Sequence, residues 1–147
     1  MSRDHACGTV RDWMSRPPAS VSDDCSIQAA LTRMKSAAIR HLLVLEGDRL
    51  VGVVSNRDVR RLLTDLPHSP VLAEPIRSIM TEDPVTVAPD TEVTVAARLL
   101  LDNKIGALPV RDGEEIVGIL TTSDALEALL TLVEAPEGAE RRLADGG

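Results

Sequence analysis

The sequence predicts an α+β protein in which one β-α-β-β-α unit is used twice, with the two copies packed through their sheets about a pseudo-two-fold axis. Three observations predict it. Sliding residues 13–63 onto 79–129, an offset of 66, needs no gap and leaves 13 of 51 pairs identical, among them Met14/Met80, Pro18/Pro84, Val21/Val87, Ile39/Ile105, Gly52/Gly118 and Asp58/Asp124. Each copy also carries a β-branched run with an internal glycine, Leu50-Val51-Gly52-Val53-Val54 and Ile116-Val117-Gly118-Ile119-Leu120. Each run is followed by a hydroxyl residue, two spacers and an aspartate. A repeat of this length rarely buries enough apolar surface alone, so two copies are expected to share one core.

The elements follow in order. Residues 1–7 are polar and are read as frayed. A helix or turn over 8–14 is stopped by Pro17 and Pro18. A very short strand is expected at 20–21. Ser26 caps a helix through about residue 36, with Ile27, Ala30, Leu31 and Met34 on one face. Apolar runs at 41–45 and 50–54 form a hairpin around Glu46-Gly47-Asp48. A helix over 56–66 ends at Pro67. The second copy repeats this order as a strand at 85–87, a helix from Thr91 or Glu92 to about 103, a hairpin of 107–110 and 116–120 around Asp112-Gly113, and a helix over 122–133. The organisation is therefore a first motif over 8–66, a linker over 67–75, a second motif over 76–133 and a disordered tail over 134–147, where Pro, Gly, Ala and charges dominate.

Composition narrows the function. Trp13 is the single Phe, Tyr or Trp ring, so the core is aliphatic and no platform exists for stacking bases. Net charge is −7, which argues against phosphate-driven binding of nucleic acid. The charge is uneven: residues 1–66 carry ten Lys/Arg against eight Asp/Glu, residues 67–147 six against fifteen. Cys7 and Cys25 lack Cys-x-x-Cys spacing and His5, His41 and His68 are scattered, so reduced thiols and no metal site are expected. No apolar run reaches a membrane span and no signal-peptide core is visible, which reads as cytoplasmic with no membrane partner. There is no Walker loop, Gly-x-Gly-x-x-Gly, nucleophile elbow or metal cluster, so the reading is non-catalytic.

The combination Met80-Thr81-Glu82-Asp83-Pro84-Val85-Thr86-Val87, then Ile105-Gly106-Ala107-Leu108-Pro109-Val110, then Val117-Gly118-Ile119-Leu120-Thr121-Thr122-Ser123-Asp124 resembles the CBS domain, the motif named after cystathionine β-synthase. Met14-Ser15-Arg16-Pro17-Pro18, Ile39-Arg40-His41-Leu42-Leu43-Val44 and Val51-Gly52-Val53-Val54-Ser55-Asn56-Arg57-Asp58 match it more loosely, making a tandem pair over about 8–133. The resemblance implies a stand-alone regulatory sensor needing no cofactor for chemistry. Relatives bind AMP, ADP, ATP, S-adenosylmethionine or similar adenosyl ligands in two clefts between paired motifs, and usually dimerise. A homodimer and an unknown regulated protein are therefore the expected partners.

Ser55-x-x-Asp58 and Thr121-x-x-Asp124 have two readings. Each is a helix capping box, and each strand-to-helix turn presents N–H groups to a phosphate and an acceptor-only carboxylate to a ribose diol. The expected ligand residues are Ser20, Val21, Ile39, Arg40, His41, Ser55, Arg57 and Asp58 in the first motif. In the second they are Thr86, Val87, Ile105, Ala107, Leu108, Thr121 and Asp124. Arg57, Arg60 and Arg61, with Arg40, flank the first box, whereas Ser123, Leu126, Glu127 and Gly106 flank the second. Because arginine clamps phosphate bidentately, the first copy is expected to take a phosphorylated ligand and the second a less charged adenosyl group or none. The competing reading is a ligand-free dimerisation or interaction module with vestigial pockets.

Overall fold

The computed structural model describes residues 8–65 and 70–134. The first repeat runs β1 (Ser20–Ser22), α2 (Ile27–Ala37), β2 (His41–Glu46), β3 (Arg49–Ser55), α3 (Asn56–Asp65), preceded by the short α1 (Val10–Trp13). The second runs β4 (Thr81–Glu82), α4 (Val93–Asn103), β5 (Ala107–Asp112), β6 (Glu115–Thr121), α5 (Thr122–Val133), after 3-10 turns at Pro70–Ala73 and Ile76–Ser78. The expected helix end at Leu66, part of the linker and the tail beyond Glu134 lie outside the described residues.

Both hairpins close on the same two-residue loop. The pairs Glu46↔Arg49 and Asp112↔Glu115 flank Gly47-Asp48 and Gly113-Glu114. Glycine takes φ +65° and +66° there, a backbone that an L side chain resists. The expected Asp112-Gly113 turn is thus shifted by one: Asp112 ends its strand and glycine opens the loop.

The strand expected at 85–87 is not formed, and one residue explains it. In the first repeat β1 runs parallel to β2, and Leu43 N–H donates to the Ala19 carbonyl at 3.0 Å. The repeat-equivalent of Leu43 is Pro109, which has no N–H to donate. What survives is a single parallel bridge, Val87↔Val110, with Val87 N–H on Pro109 O at 3.1 Å and Arg111 N–H on Val87 O at 2.8 Å.

The chain exchanges segments between its repeats. β4, at the start of the second repeat, is the edge strand of the first repeat's sheet, pairing Thr81 with Val53. Symmetrically, Ser15 pairs with Ile119 of the second. α1 docks on the second repeat, where Val10 N–H reaches Thr91 O at 2.8 Å. Ile76 N–H reaches Cys25 O of the first at 2.7 Å. The two sheets are β1-β2-β3-β4 and β5-β6.

The single expected core is instead three clusters. Ile27, Ala30, Met34, Leu42, Val44, Val54, Val59 and Ile76 fill the first repeat. Val10, Val87, Val93, Ala96, Leu100, Leu108, Val110, Leu120 and Ala128 fill the second. Each sheet spends one face on its own helices. Its other face meets the partner sheet through Leu43, Ala107 and Ile119. Every buried side chain among the described residues is apolar, as the hydrophobic effect requires of a core without polar partners.

Candidate functional site

Both strand-to-helix turns open into one cleft. At the first, Ser55 N–H donates to Asp58 Oδ2 at 3.0 Å and Asp58 N–H donates to Ser55 Oγ at 3.1 Å. At the second, Thr121 N–H and Oγ1–H donate to Asp124 Oδ2 at 2.8 and 3.0 Å, and Asp124 N–H reaches Thr121 Oγ1 at 3.3 Å. Capping is therefore a structural role of both aspartates, and it uses one oxygen of each. Oδ1 of each carboxylate has no hydrogen-bond partner among the described residues. A third box, Thr9 with Asp12 at 2.9 Å, opens α1; the sequence carries its Thr-x-x-Asp spacing, outside the matched repeat.

The helix starts are seated on the preceding strands. Asn56 N–H donates to Arg40 O at 2.8 Å, and the repeat-equivalent Thr122 N–H donates to Gly106 O at 3.0 Å. The residues just before these strands, Ala38 and Lys104, close α2 and α4 in the left-handed conformation, φ 56° and 55°. Both line the cleft. A side chain held there is strained.

The cleft has a volume of about 2080 Å³, larger than the roughly 300–1,000 Å³ of a single small-molecule site. Of the expected residues it takes in Ile39, Arg40, His41, Ser55, Arg57 and Asp58 from the first repeat and Ile105, Ala107 and Thr121 from the second. The others stand apart. Val87 and Leu108 are core residues, and Val21 packs on the first core. Ser20 lines a separate depression with Leu43, Asp48 and Glu115. Thr86 and Asp124 are half-buried outside the cleft wall. On the loops before β1 and at 83–87 the cleft is lined instead by Pro17 and Ala19 and by Asp83, Pro84 and Val85.

Sequence reasoning did not place Lys104, Thr64, Asn56 or Val53 in the wall. One signal was available: Arg57, Arg60, Arg61 and Thr64 follow the i, i+3, i+4, i+7 spacing of one helix face, and all four line the cleft. Among the described residues that line it, Arg40, Arg57, Arg60, Arg61 and Lys104 face only Asp58 and Asp83. The cleft is thus a basic pocket in an acidic chain. Among the described residues none of these four arginines makes an ion pair.

His41 sits between the repeats. Burial lowers its pKa below the ordinary 6.5; Asp58 opposes this, while Arg40 and Arg57 add to it. Cys25 is a free, half-buried thiol, raised in pKa by burial and then by Asp24; Cys7 lies outside the described residues. No cluster of three or more His, Cys, Asp or Glu suited to a metal exists among the described residues. No described helix is long and apolar enough to cross a membrane.

The family model for the CBS domain matches residues 10–65 and 76–131. A CBS domain-containing protein of Dictyostelium discoideum is 32% identical over 136 residues, covering 85% of this chain and 93% of that protein. Among solved structures, CBSX2 in complex with AMP is similar at TM-score 0.70 and 29% identity, covering 84% of this chain and 97% of that one. The CBS domain pair of protein MJ0100, in complex with 5′-methylthioadenosine and S-adenosyl-L-methionine, is similar at TM-score 0.73 and 27% identity over 82% of this chain and 94% of that one. The chain also matches a part of larger enzymes, spanning 14% of A-adding tRNA nucleotidyltransferase of Aquifex aeolicus. With both repeats matched in order and the same two-motif architecture in its structural relatives, the chain belongs to the CBS-domain family.

Proposed function

We propose that the protein is a cytoplasmic, non-catalytic regulatory module that binds an adenosine-containing ligand in the cleft between its repeats and passes the occupancy to a regulated protein. The observation that carries this reading is the cation-rich wall: four arginines and a lysine against two carboxylates, in a chain of net charge −7. A cluster of unpaired guanidiniums is stabilised by an anion, and a planar guanidinium grips phosphate through two bonds. The first repeat supplies the four arginines, so it takes the phosphate-bearing ligand. Beside the second box stand Ser123 and Leu126, which suit a less charged adenosyl group such as S-adenosylmethionine. The AMP and S-adenosyl-L-methionine complexes of CBSX2 and MJ0100 support the class of ligand. Occupancy acts on a partner only if the ligand prefers one arrangement of the repeats over another.

The test is a thermal-shift panel with AMP, ADP, ATP, NAD and S-adenosylmethionine on wild type, Arg57→Ala and Ser123→Ala. A ligand at about 100 times its Kd stabilises by about 2.7 kcal/mol, or roughly 5–10 °C for a chain of this size. The phosphate-bearing ligands are expected to shift wild type and Ser123→Ala and to lose the shift in Arg57→Ala. A flat panel with every ligand overturns the reading.

A second reading, assembly through the helices, is favoured by one observation. Every exposed large hydrophobic among the described residues lies on α4 or α5: Val95, Leu101, Leu126, Leu129, Leu130, Leu132 and Val133. Exposed apolar side chains gathered on two helices that pack on each other mark an interaction surface. The two surfaces overlap in part, because Leu101, Leu126 and Leu129 also line the cleft, while the arginines of α3 lie outside the apolar set.

A further inference from the structure

Two methionines hold the crossing segments against the strands. The sulfur of Met80 lies so close over Gly52 of β3 that a Cβ built on that glycine would stand 2.5 Å from it. The sulfur of Met14 lies over Gly118 of β6 in the same way, at 2.7 Å. Each side chain packs on the core of the repeat its segment crosses to, Met80 on the first and Met14 on the second. Each backbone also closes the preceding turn, Met14 N–H donating to Val10 O at 2.8 Å and Met80 N–H to Ile76 O at 3.1 Å.

Exposure separates these two from Met34, which is 2% exposed within the first core. Met14 and Met80 are half-buried, and the residues that follow them, Ser15, Arg16, Thr81 and Glu82, are exposed. A thioether is oxidised where an oxidant reaches its sulfur, and the sulfoxide replaces a flexible apolar group with a polar one. Neither sulfur has a place for that oxygen on its glycine side. The backbone atoms nearest the same two Cβ positions are the carbonyl oxygens of Thr81 and Ser15, at 2.8 and 2.9 Å. An S=O is itself an acceptor, so it gains no bond there and loses its water.

We propose that Met14 and Met80 are a pair of modification sites at which a hydroperoxide releases the crossing segments from the repeats they clasp. With hydrogen peroxide the sulfur lone pair attacks one oxygen, forming the S–O bond and breaking the O–O bond. The sulfur gives up two electrons, and the second oxygen leaves as water with both hydrogens. The sulfoxide then turns to solvent, and its segment comes away from the glycine. Ser15 and Thr81 pair with Ile119 and Val53, and all four line the cleft. Oxidation therefore loosens the contact between the repeats and the wall of the cleft together. The proposal stands whatever ligand the cleft takes.

The test treats the full chain with hydrogen peroxide, with free methionine in the same solution as the rate standard, and maps oxygen addition by peptide mass. Met14 and Met80 are expected to oxidise well before Met34. The treated protein is expected to melt roughly 4–8 °C lower, the scale at which a chain of this size registers the loss of two packed contacts. Exchange of the Ile119 amide, which donates to Ser15 O at 3.1 Å, is expected to quicken. Met14→Leu with Met80→Leu keeps the side-chain volume and removes the sulfurs, so its melting temperature is expected to hold under the same treatment. If the double variant folds poorly, each single variant is expected to keep about half of the shift. Met14 and Met80 oxidising no faster than Met34 overturns the site assignment. Full oxidation of both with an unchanged melting temperature and Ile119 exchange overturns the release. An equal fall in the leucine variants places the damage elsewhere and overturns the proposal.

Discussion

Asp58 shows how one residue serves two purposes. Its carboxylate closes the first turn of α3 through Ser55, so a loss of ligand binding in Asp58→Ala cannot by itself be assigned to lost ligand contact. The prediction separates the roles. Asp58→Ala is expected to lose about 1 kcal/mol in denaturant unfolding, the usual worth of a cap. Asp58→Asn, whose amide oxygen still accepts the Ser55 N–H, loses less. His41 carries the pH dependence. Its folded pKa is lowered, so between that value and 6.5 the unfolded chain binds more protons than the folded one, and stability rises with pH. The contribution is present in full above about 6.5 and is lost as pH falls through the histidine range. Melting temperatures between pH 7.5 and 5.5 are expected to fall more steeply in wild type than in His41→Asn.

At the scale of elements, the crossing segments give the internal glycines their meaning. A Cβ on Gly52 would meet the Thr81 backbone oxygen at 2.8 Å, and one on Gly118 the Ser15 backbone oxygen at 2.9 Å. The sulfurs of Met80 and Met14 lie over the same two positions. The paired identities Met14/Met80 and Gly52/Gly118 are therefore contacts made crosswise, each methionine covering the glycine of the other repeat. A backbone oxygen in an edge pairing cannot swing aside as a side-chain tip can. Gly52→Ala and Gly118→Ala are each expected to destabilise by about 1–3 kcal/mol, the usual cost of overpacking. Thermal unfolding of the single variants measures this. Unchanged melting temperatures would mean that the crossing segments are not held against the strands.

At the scale of the whole molecule the two halves present different surfaces. The helices of the second repeat expose seven large apolar side chains; those of the first expose Arg33, Lys35, Arg57, Arg60 and Arg61. Self-association through like-charged α3 faces is disfavoured, whereas α4 and α5 present an apolar patch to a second copy. The expected assembly is a dimer through the second repeats. Leu126→Glu with Leu130→Glu, at exposed positions, is expected to convert it to monomer in sedimentation while leaving the circular dichroism spectrum unchanged. A wild-type monomer at tens of micromolar would remove this assembly.

What the sequence by itself determined is the part governed by local rules. The repeat at an offset of 66, the two hairpins, the four long helices, the capping boxes and the arginine face of α3 follow from spacing and residue type, because helix and strand periodicity and capping act within a few residues. Tertiary structure decided the rest. The exchange of β4 and α1 between repeats depends on where distant segments pack, and no local pattern encodes it. The fate of the strand at 85–87 was set by one missing N–H, on Pro109 in a neighbouring strand. Which expected residues reach the cleft was decided by burial: Val87 and Leu108 share the residue types of Ile39 and Ile105, and only packing separates the core from the wall. The contact between His41 and Gly106 joins residues 65 positions apart, and only the assembled pair of repeats brings them together.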